Sequence, residues 1–418
     1  MMAVTLMLAG ALVAPHGAAY RSADLPSSSD CVQLAEDHAS ALRPDGTETK
    51  AVHGDGLGRR HYFRTMEGGL IPQVTVRPGF DPETASSQEL DTFGYPPRPA
   101  ASRADRPTWD KAWGRKPDTT SSQLAGYCEV HLGLGSGATG TPTPAGASTS
   151  WATSADSLAN CFNNIHATTG SPSSCYSDKY AGGLVTGVGT TKIDEVSGGW
   201  YQSNFHNGHC SNDAYLTWIG IGGFYGHLMQ AGTINRFDDS VNGDNYALSP
   251  MFWEVVANDS LTAPTYVFKT GDASRTNTTG GDNVHVYVGY GTSGTNGNGH
   301  PAGYGEFTVN DTTNTLIGVR TTGWIPSIKD TTGVTHPMSY YYDGTTADYI
   351  TEVPSGYQLR QPYTNNTQFN FAKANATQIS TAMPSENITN IYTHQLQTSA
   401  FAGTDTVWQN DASTTYCQ

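Results

Sequence analysis

From about Tyr180 to the C-terminus, short apolar runs alternate with turn-forming clusters. AYLTWIGIGG, MFWEVVAND, TYVFKTGD, NVHVYVGYG, YGEFTVND and ADYITEVPSG are rich in Val, Ile, Thr, Tyr, Phe and Trp, and Gly, Asn and Asp separate them. Turn signals recurring about every 10 to 15 residues, with no sustained helical period, predict antiparallel strands. The fold class expected is all-β, an antiparallel β-sandwich of the concanavalin or jelly-roll kind. Residues 377–396 are expected to hold a helical turn. Upstream the texture differs. Residues 20–123 are rich in Arg and Pro, with Arg-Pro pairs at Arg43, Arg77, Arg98 and Arg106, and they lack sustained alternation. Residues 135–150, GSGATGTPTPAGASTS, read as a flexible connector.

Charge sharpens that division. Residues 1–125 carry 13 basic and 15 acidic side chains, a balance of −2, and the remainder carries 9 and 22, a balance of −13, summing to the −15 of the chain. One reading of the first part is a removable prosegment whose cations sit on an acidic domain and let go when carboxylates protonate. An ordinary N-terminal extension is the alternative. The acidic balance argues against a nucleic-acid binder, which needs a basic face.

The opening MMAVTLMLAGALVAPHGAA resembles a secretory leader ending in small residues, although it lacks a basic start. No later apolar run reaches the roughly 20 residues of a spanning helix, so the expectation is a secreted, extracellular product without a membrane anchor. The expected organisation is a signal peptide (1–19), a prosegment (20–125), a linker and disulfide-bearing lead-in (126–175) and a sandwich (176–418). The six cysteines, Cys31, Cys128, Cys161, Cys175, Cys210 and Cys417, form an even set, with Cys161 and Cys175 the first pair to test.

The usual hydrolytic motifs are missing. The chain has no D-T-G or D-S-G, no H-E-x-x-H and no G-x-S-x-G. His206, His209 and Cys210 read as a polar loop with the cysteine in a disulfide rather than a zinc site. The oxygen-rich DDSVNGDN at 238–245 lacks the spacing of an EF-hand and reads as a turn. No metal and no cofactor is expected.

Three segments place a polar or aromatic group inside an apolar strand: Trp218–Gly223, Leu228–Gly232 and Ala347–Pro354. Alternation puts Asp348, Ile350 and Glu352 on one strand face, and Tyr349, Thr351 and Val353 on the other. Gln230 shares a face with Leu228 in the same way. Glutamine and glutamate on apolar faces are either rim residues satisfied by neighbours or site residues.

These segments, with Phe252-Trp253-Glu254 between them, resemble the motifs of the glutamic peptidases, or eqolisins: W-x-G-I-D-G, I-L-Q-x-G, aromatic-aromatic-Glu and A-E-W-I-V-E. Lys179–Val185 and Val196–Trp200 resemble the family's earlier strands, so the likeness runs over about residues 179 to 372. It departs at Gly222, where the family has Asp, at Phe252 in place of Trp, and at Asp348-Tyr349 in place of Glu-Trp.

The resemblance implies a secreted acid endopeptidase made as a zymogen, monomeric, acting on polypeptides and inhibited by its own prosegment. It places the catalytic glutamine on Gln230 and the catalytic glutamate on Glu352, with Trp218, Phe252 and Glu254 lining or orienting the cleft. Glu352 would act as general base on water and Gln230 would stabilise the oxyanion. Two alternatives stay open: a sandwich-fold glycosidase using Glu254 and Glu352 as paired carboxylates, and a non-catalytic secreted binding module on the same scaffold.

Overall fold

A strand with one apolar face needs a second apolar surface, and two stacked sheets supply it for each other. The computed structural model describes residues 32–34, 40–42, 48–50, 61–64, 70–73, 79–93, 95–103, 106–116, 126–130, 173–176, 180–186, 192–202, 214–223, 227–238, 246–257, 265–269, 277–278, 281–292, 302–313, 318–329, 334–352, 367–375, 377–379, 388–392, 397–399 and 406–411. The expected leader, the connector at 135–150, Cys161 and the His206–Cys210 cluster lie outside the described residues, as does all of 238–245 except Asp238.

Five short strands come first: β1 (Val32–Leu34), β2 (Ser40–Leu42), β3 (Glu48–Lys50), β4 (His61–Arg64) and β5 (Leu70–Gln73). Two helices follow, α1 (Ser87–Thr92) and α2 (Arg106–Trp113). The strands then run β6 (Gly126–Val130), β7 (Ser173–Tyr176), β8 (Tyr180–Thr186), β9 (Glu195–Tyr201), β10 (Ala214–Gly222), β11 (His227–Asp238), β12 (Tyr246–Ala257), β13 (Thr265–Lys269), β14 (Asn277–Thr278), β15 (Asn283–Tyr290) and β16 (Gly305–Asp311). The remainder are β17 (Gly318–Thr321), β18 (Ser327–Lys329), β19 (Thr335–Pro337), β20 (Thr346–Glu352), β21 (Thr367–Ala374), β22 (Thr377–Gln378), β23 (Ile388–Tyr392), β24 (Gln397–Ser399) and β25 (Thr406–Asp411).

One sheet has ten strands, in the order β6-β13-β12-β11-β10-β20-β8-β23-β7 with β14 beside β12. The other has eight, β17-β16-β15-β9-β21-β25-β24 with β22 beside β21. Their pairs are antiparallel except β7 with β23. The expected β-sandwich is therefore present. β6 and β7, from the stretch expected to be a lead-in, belong to the ten-stranded sheet. The helical turn expected within 377–396 is absent among the described residues: Thr377–Gln378 and Ile388–Tyr392 are strands, because pairing with β21 and β8 satisfies their backbones.

The core lies between the sheets. Ile219, Met229, Ala231, Trp253 and Tyr349 from the ten-stranded sheet meet Val284, Val286, Phe307 and Phe369 from the eight-stranded one. Trp253 stacks on Phe307 with ring centroids 4.8 Å apart, and the Tyr349 hydroxyl donates to the Lys373 carbonyl at 2.7 Å. With these residues turned inward, strand alternation sends Gln230, Glu254, Trp218, Asp348 and Glu352 to the outer face of the ten-stranded sheet.

Glycine sets one close approach on that face. A Cβ at Gly232 would lie 2.0 Å from the Thr217 carbonyl oxygen and 2.7 Å from the Trp218 Cα. Gly232→Ala is therefore expected to push β10 off β11 and destabilise the fold by about 3 kcal/mol or more. Urea unfolding of wild type and variant would measure this.

The described residues within 79–116, expected as part of a prosegment, pack on the outer face of the eight-stranded sheet. Phe80, Leu90, Phe93, Tyr95, Trp109 and Trp113 form a cluster with Tyr287 and Val319. A capping box starts α1: Ser86 Oγ accepts from the Glu89 backbone N–H at 3.1 Å, and a Glu89 carboxylate oxygen accepts from the Ser86 N–H at 2.9 Å. Three of its cations make their described bonds within the segment. Arg98 donates to the Pro82 and Ala85 carbonyls at 2.6 and 2.7 Å, Arg106 pairs with Asp110 at 2.5 Å, and Lys116 pairs with Asp81 at 2.8 Å. Its described contacts with the sheet include this aromatic cluster, the Lys111 ammonium over the Phe371 ring and the Asn310 amide donating to the Ala112 carbonyl at 3.3 Å.

Candidate active site

Four neighbouring strands, β12, β11, β10 and β20, carry the polar groups of the outer face. Gln230 lies opposite Gly220, and Gly220 lies opposite Asp348. On the far side Gln230 pairs with Glu254 of β12. One row thus runs Glu254, Gln230, Gly220, Asp348. Glu352 lies opposite Leu216, four residues further along β10. On an unbent sheet this offset separates the Gln230 and Glu352 Cα atoms by roughly 16 Å, from ~3.3 Å per residue and ~4.8 Å per strand. Sheet twist and two long side chains act against that separation.

The carboxamide of Gln230 is fixed. Its Nε2 donates to Glu254 Oε2 at 2.7 Å, with both residues buried. An ionised carboxylate only accepts, so this contact settles which end of the amide is nitrogen. The Oε1 atom that remains is buried and has no hydrogen-bond partner in the structure. A buried carbonyl oxygen without a donor is costly, and its native complement is a water or ligand donor.

Trp218 connects the two rows. Its Nε1 donates to Glu352 Oε2 at 2.9 Å, while Cζ3 at the other end of the indole lies 3.2 Å from where a Cβ on Gly220 would sit. The ring therefore spans from the strand neighbour of Gln230 to the carboxylate. Gln230 and Glu352 share a sheet face, and the bonds their head groups show run to Glu254 and Trp218. Trp218 and Phe252 are fully buried, and Glu352 is half-buried.

Gly222 has a local cause. Its φ is +99°, and a Cβ there would lie 2.3 Å from the His227 carbonyl oxygen and 2.9 Å from Asp343 Oδ1. The space a side chain at 222 would need is taken by a carboxylate from the loop before β20. Asp343 Oδ1 is held by the Thr345 N–H at 2.8 Å and hydroxyl at 2.7 Å. Sequence reasoning missed Asp343, for which the Asp-Gly turn after SYYY was the available signal. Asp348 is fully buried, and burial holds its carboxyl well above the usual range, with the Asp343 charge adding to the rise.

No protein-family model matches the chain, and no curated protein is similar to it in sequence. Among solved structures, scytalido-glutamic peptidase with a transition-state analogue inhibitor is similar at 13% identity, covering 55% of this chain and 97% of that one, with a TM-score of 0.36. The complex of that enzyme with a peptide-based transition-state analogue gives 13%, 55%, 97% and 0.34. SCP-B, an eqolisin-family peptidase bound to the tripeptide Ala-Ile-His, gives 14%, 55%, 96% and 0.34. Likeness at this level leaves the chemistry to be argued from the chain's own residues.

Proposed function

We propose that the chain is the precursor of a secreted acid endopeptidase that hydrolyses peptide bonds with Gln230 and Glu352. The observation that carries this reading is the Gln230 carboxamide, clamped by Glu254 with its Oε1 buried and unbonded on the face that bears Glu352. Oε1 accepts a hydrogen bond from the attacking water, and Glu352 takes the water's proton as its oxygen adds to the scissile carbonyl carbon. The second Nε2 hydrogen of Gln230 donates to the oxyanion that forms. The carbon–nitrogen bond then breaks, and Glu352 returns the proton to the departing amine. The Trp218 indole, already bonded to Glu352, reaches from that carboxylate toward the strand neighbour of Gln230.

Glycosidase chemistry has less support. Glu254 is bonded to Gln230 and lies three strands from Glu352, whereas paired carboxylates must sit about 5 to 9.5 Å apart. The test is digestion of a denatured protein across pH by wild type, Gln230→Ala and Glu352→Gln. Acid-dependent cleavage lost in both variants supports the proposal. Sugar release that survives Gln230→Ala supports the glycosidase, and no cleavage at any pH supports a binding module.

Trp218→Phe offers a smaller test, since it keeps an aromatic side chain and deletes the N–H donated to Glu352. A hydrogen bond to a charged group is worth about 1.5–3 kcal/mol, so kcat is expected to fall about 10- to 100-fold. Unchanged kcat would separate the indole from the chemistry.

A further inference from the structure

We propose that the outer face of the eight-stranded sheet is a proton-gated docking surface for residues 79–116, seated while the His285 imidazole is neutral and released when acid protonates it. The inference does not depend on the hydrolytic reading. His285 lies on β15 between Gly199 of β9 and Asn310 of β16, on the face that the segment covers. Only 1% of it is exposed, and neither ring nitrogen has a hydrogen-bond partner.

The surroundings are shaped to an uncharged ring. A Cβ at Gly199 would lie 2.6 Å from His285 Nδ1, so only glycine lets the imidazole lie against that backbone. Phe371 stacks on the ring at 5.7 Å and 28°, from a backbone φ of +57°, a strained value for a phenylalanine. Trp113 of α2 meets it edge-on at 6.2 Å. A cavity of about 220 Å³ opens beside it, between the Pro96–Pro99 stretch and the sheet.

Charges around the ring oppose a second proton. Lys111 of α2 holds its ammonium 4.3 Å from the Phe371 ring centroid. Arg98 and Arg103 from the segment and Lys373 from β21 border the same cavity. Glu195 of β9 is the acid there, and the Tyr287 hydroxyl donates to its Oε2 at 3.4 Å. Burial first, then the Lys111 charge, lower the His285 pKa from 6.5 to about 3.

Undocking returns the ring to water and its ordinary value. Because the docked pKa is lowered, the docked state keeps its full advantage above about pH 6.5 and loses it as the pH falls toward 3. At pH 4 the docking equilibrium should be weaker than at pH 8 by about 300-fold. The described bonds of Arg98, Arg106 and Lys116 lie inside the segment, and the proposal assigns the trigger to the imidazole.

The test is hydrogen exchange by mass spectrometry on the full chain carrying Glu352→Gln, so that self-cleavage does not intervene. After correction for intrinsic rates, opening of residues 79–116 should rise about 300-fold from pH 8 to pH 4. Adding His285→Phe should flatten the dependence. If that variant fails to fold, Lys111→Met serves instead: removing the cation raises the docked His285 pKa, so the acid rise in opening should be smaller than in the wild type. An acid rise of equal size with His285→Phe or with Lys111→Met, or a segment still protected at pH 4, would overturn the proposal.

Discussion

Gln230→Ala is expected to lower kcat/KM for peptide hydrolysis in acid by about 10²–10³, and Glu352→Gln by about 10²–10⁴. The two losses have different origins. Deleting the carboxamide removes both the donor to the oxyanion and the acceptor for the water, while Glu352→Gln keeps shape and removes the base. Gln230→Ala also takes a partner from the buried Glu254 carboxylate, so about 1–3 kcal/mol of stability should go with it. Thermal melts beside the kinetics separate the effects. A fall in activity that tracks only the fraction folded would remove Gln230 from the mechanism. Incubation at about pH 4 should also trim the N-terminal region of the wild type and not of Glu352→Gln, and trimming in that variant would assign maturation to another protease.

The second large effect concerns pH and stability. Burial raises the Asp348 carboxyl well above its value in an unfolded chain. A raised folded pKa means that folding favours the proton. The stabilisation is therefore complete in acid, below the unfolded value, and is lost as the pH rises through the folded value. Across that window this one group should reduce stability by up to about 1.4 kcal/mol per pH unit. Asp348→Asn, neutral at every pH, should be more stable than wild type near neutrality and nearly equal to it in acid. Urea titrations at pH 4 and pH 7 would check this, and parallel curves for the two proteins would refute it. With the His285 proposal, this gives opposite responses: acid loosens residues 79–116 and favours the sandwich beneath.

The sandwich was legible where alternation was strong. AYLTWIGIG alternates Ile219 with Ile221 and TADYITE alternates Ala347 with Tyr349, and β10 and β20 put these four into the core as that pattern requires. The same alternation placed Asp348 and Glu352 on one face. Register was not legible, because no local signal tells which residue of β10 faces Gln230. The clamp from Glu254 and the offset of Glu352 therefore needed the structure.

The N-terminal packing was hidden for another reason. Phe80, Phe93, Tyr95, Trp109 and Trp113 follow no period, and they form a cluster only against Tyr287 and Val319, some 200 residues away in sequence. The Ser86–Glu89 capping box was a local signal for α1. His285 stood in a plain alternating strand, NVHVYVGY, and nothing in that run marked its non-core face as covered.

β6 limits where the chain can be shortened. Gly126–Val130 pairs along its whole length with β13, which in turn pairs with Phe252 and Trp253 of β12. A scission after residue 126 would cut into this outermost strand and bare the backbone of Thr265–Lys269, an invitation to aggregation. The longest N-terminal deletion that leaves this sheet whole therefore ends at residue 125, and a chain beginning within 117–126 would retain every ladder that supports the row of Glu254, Gln230, Gly220 and Asp348.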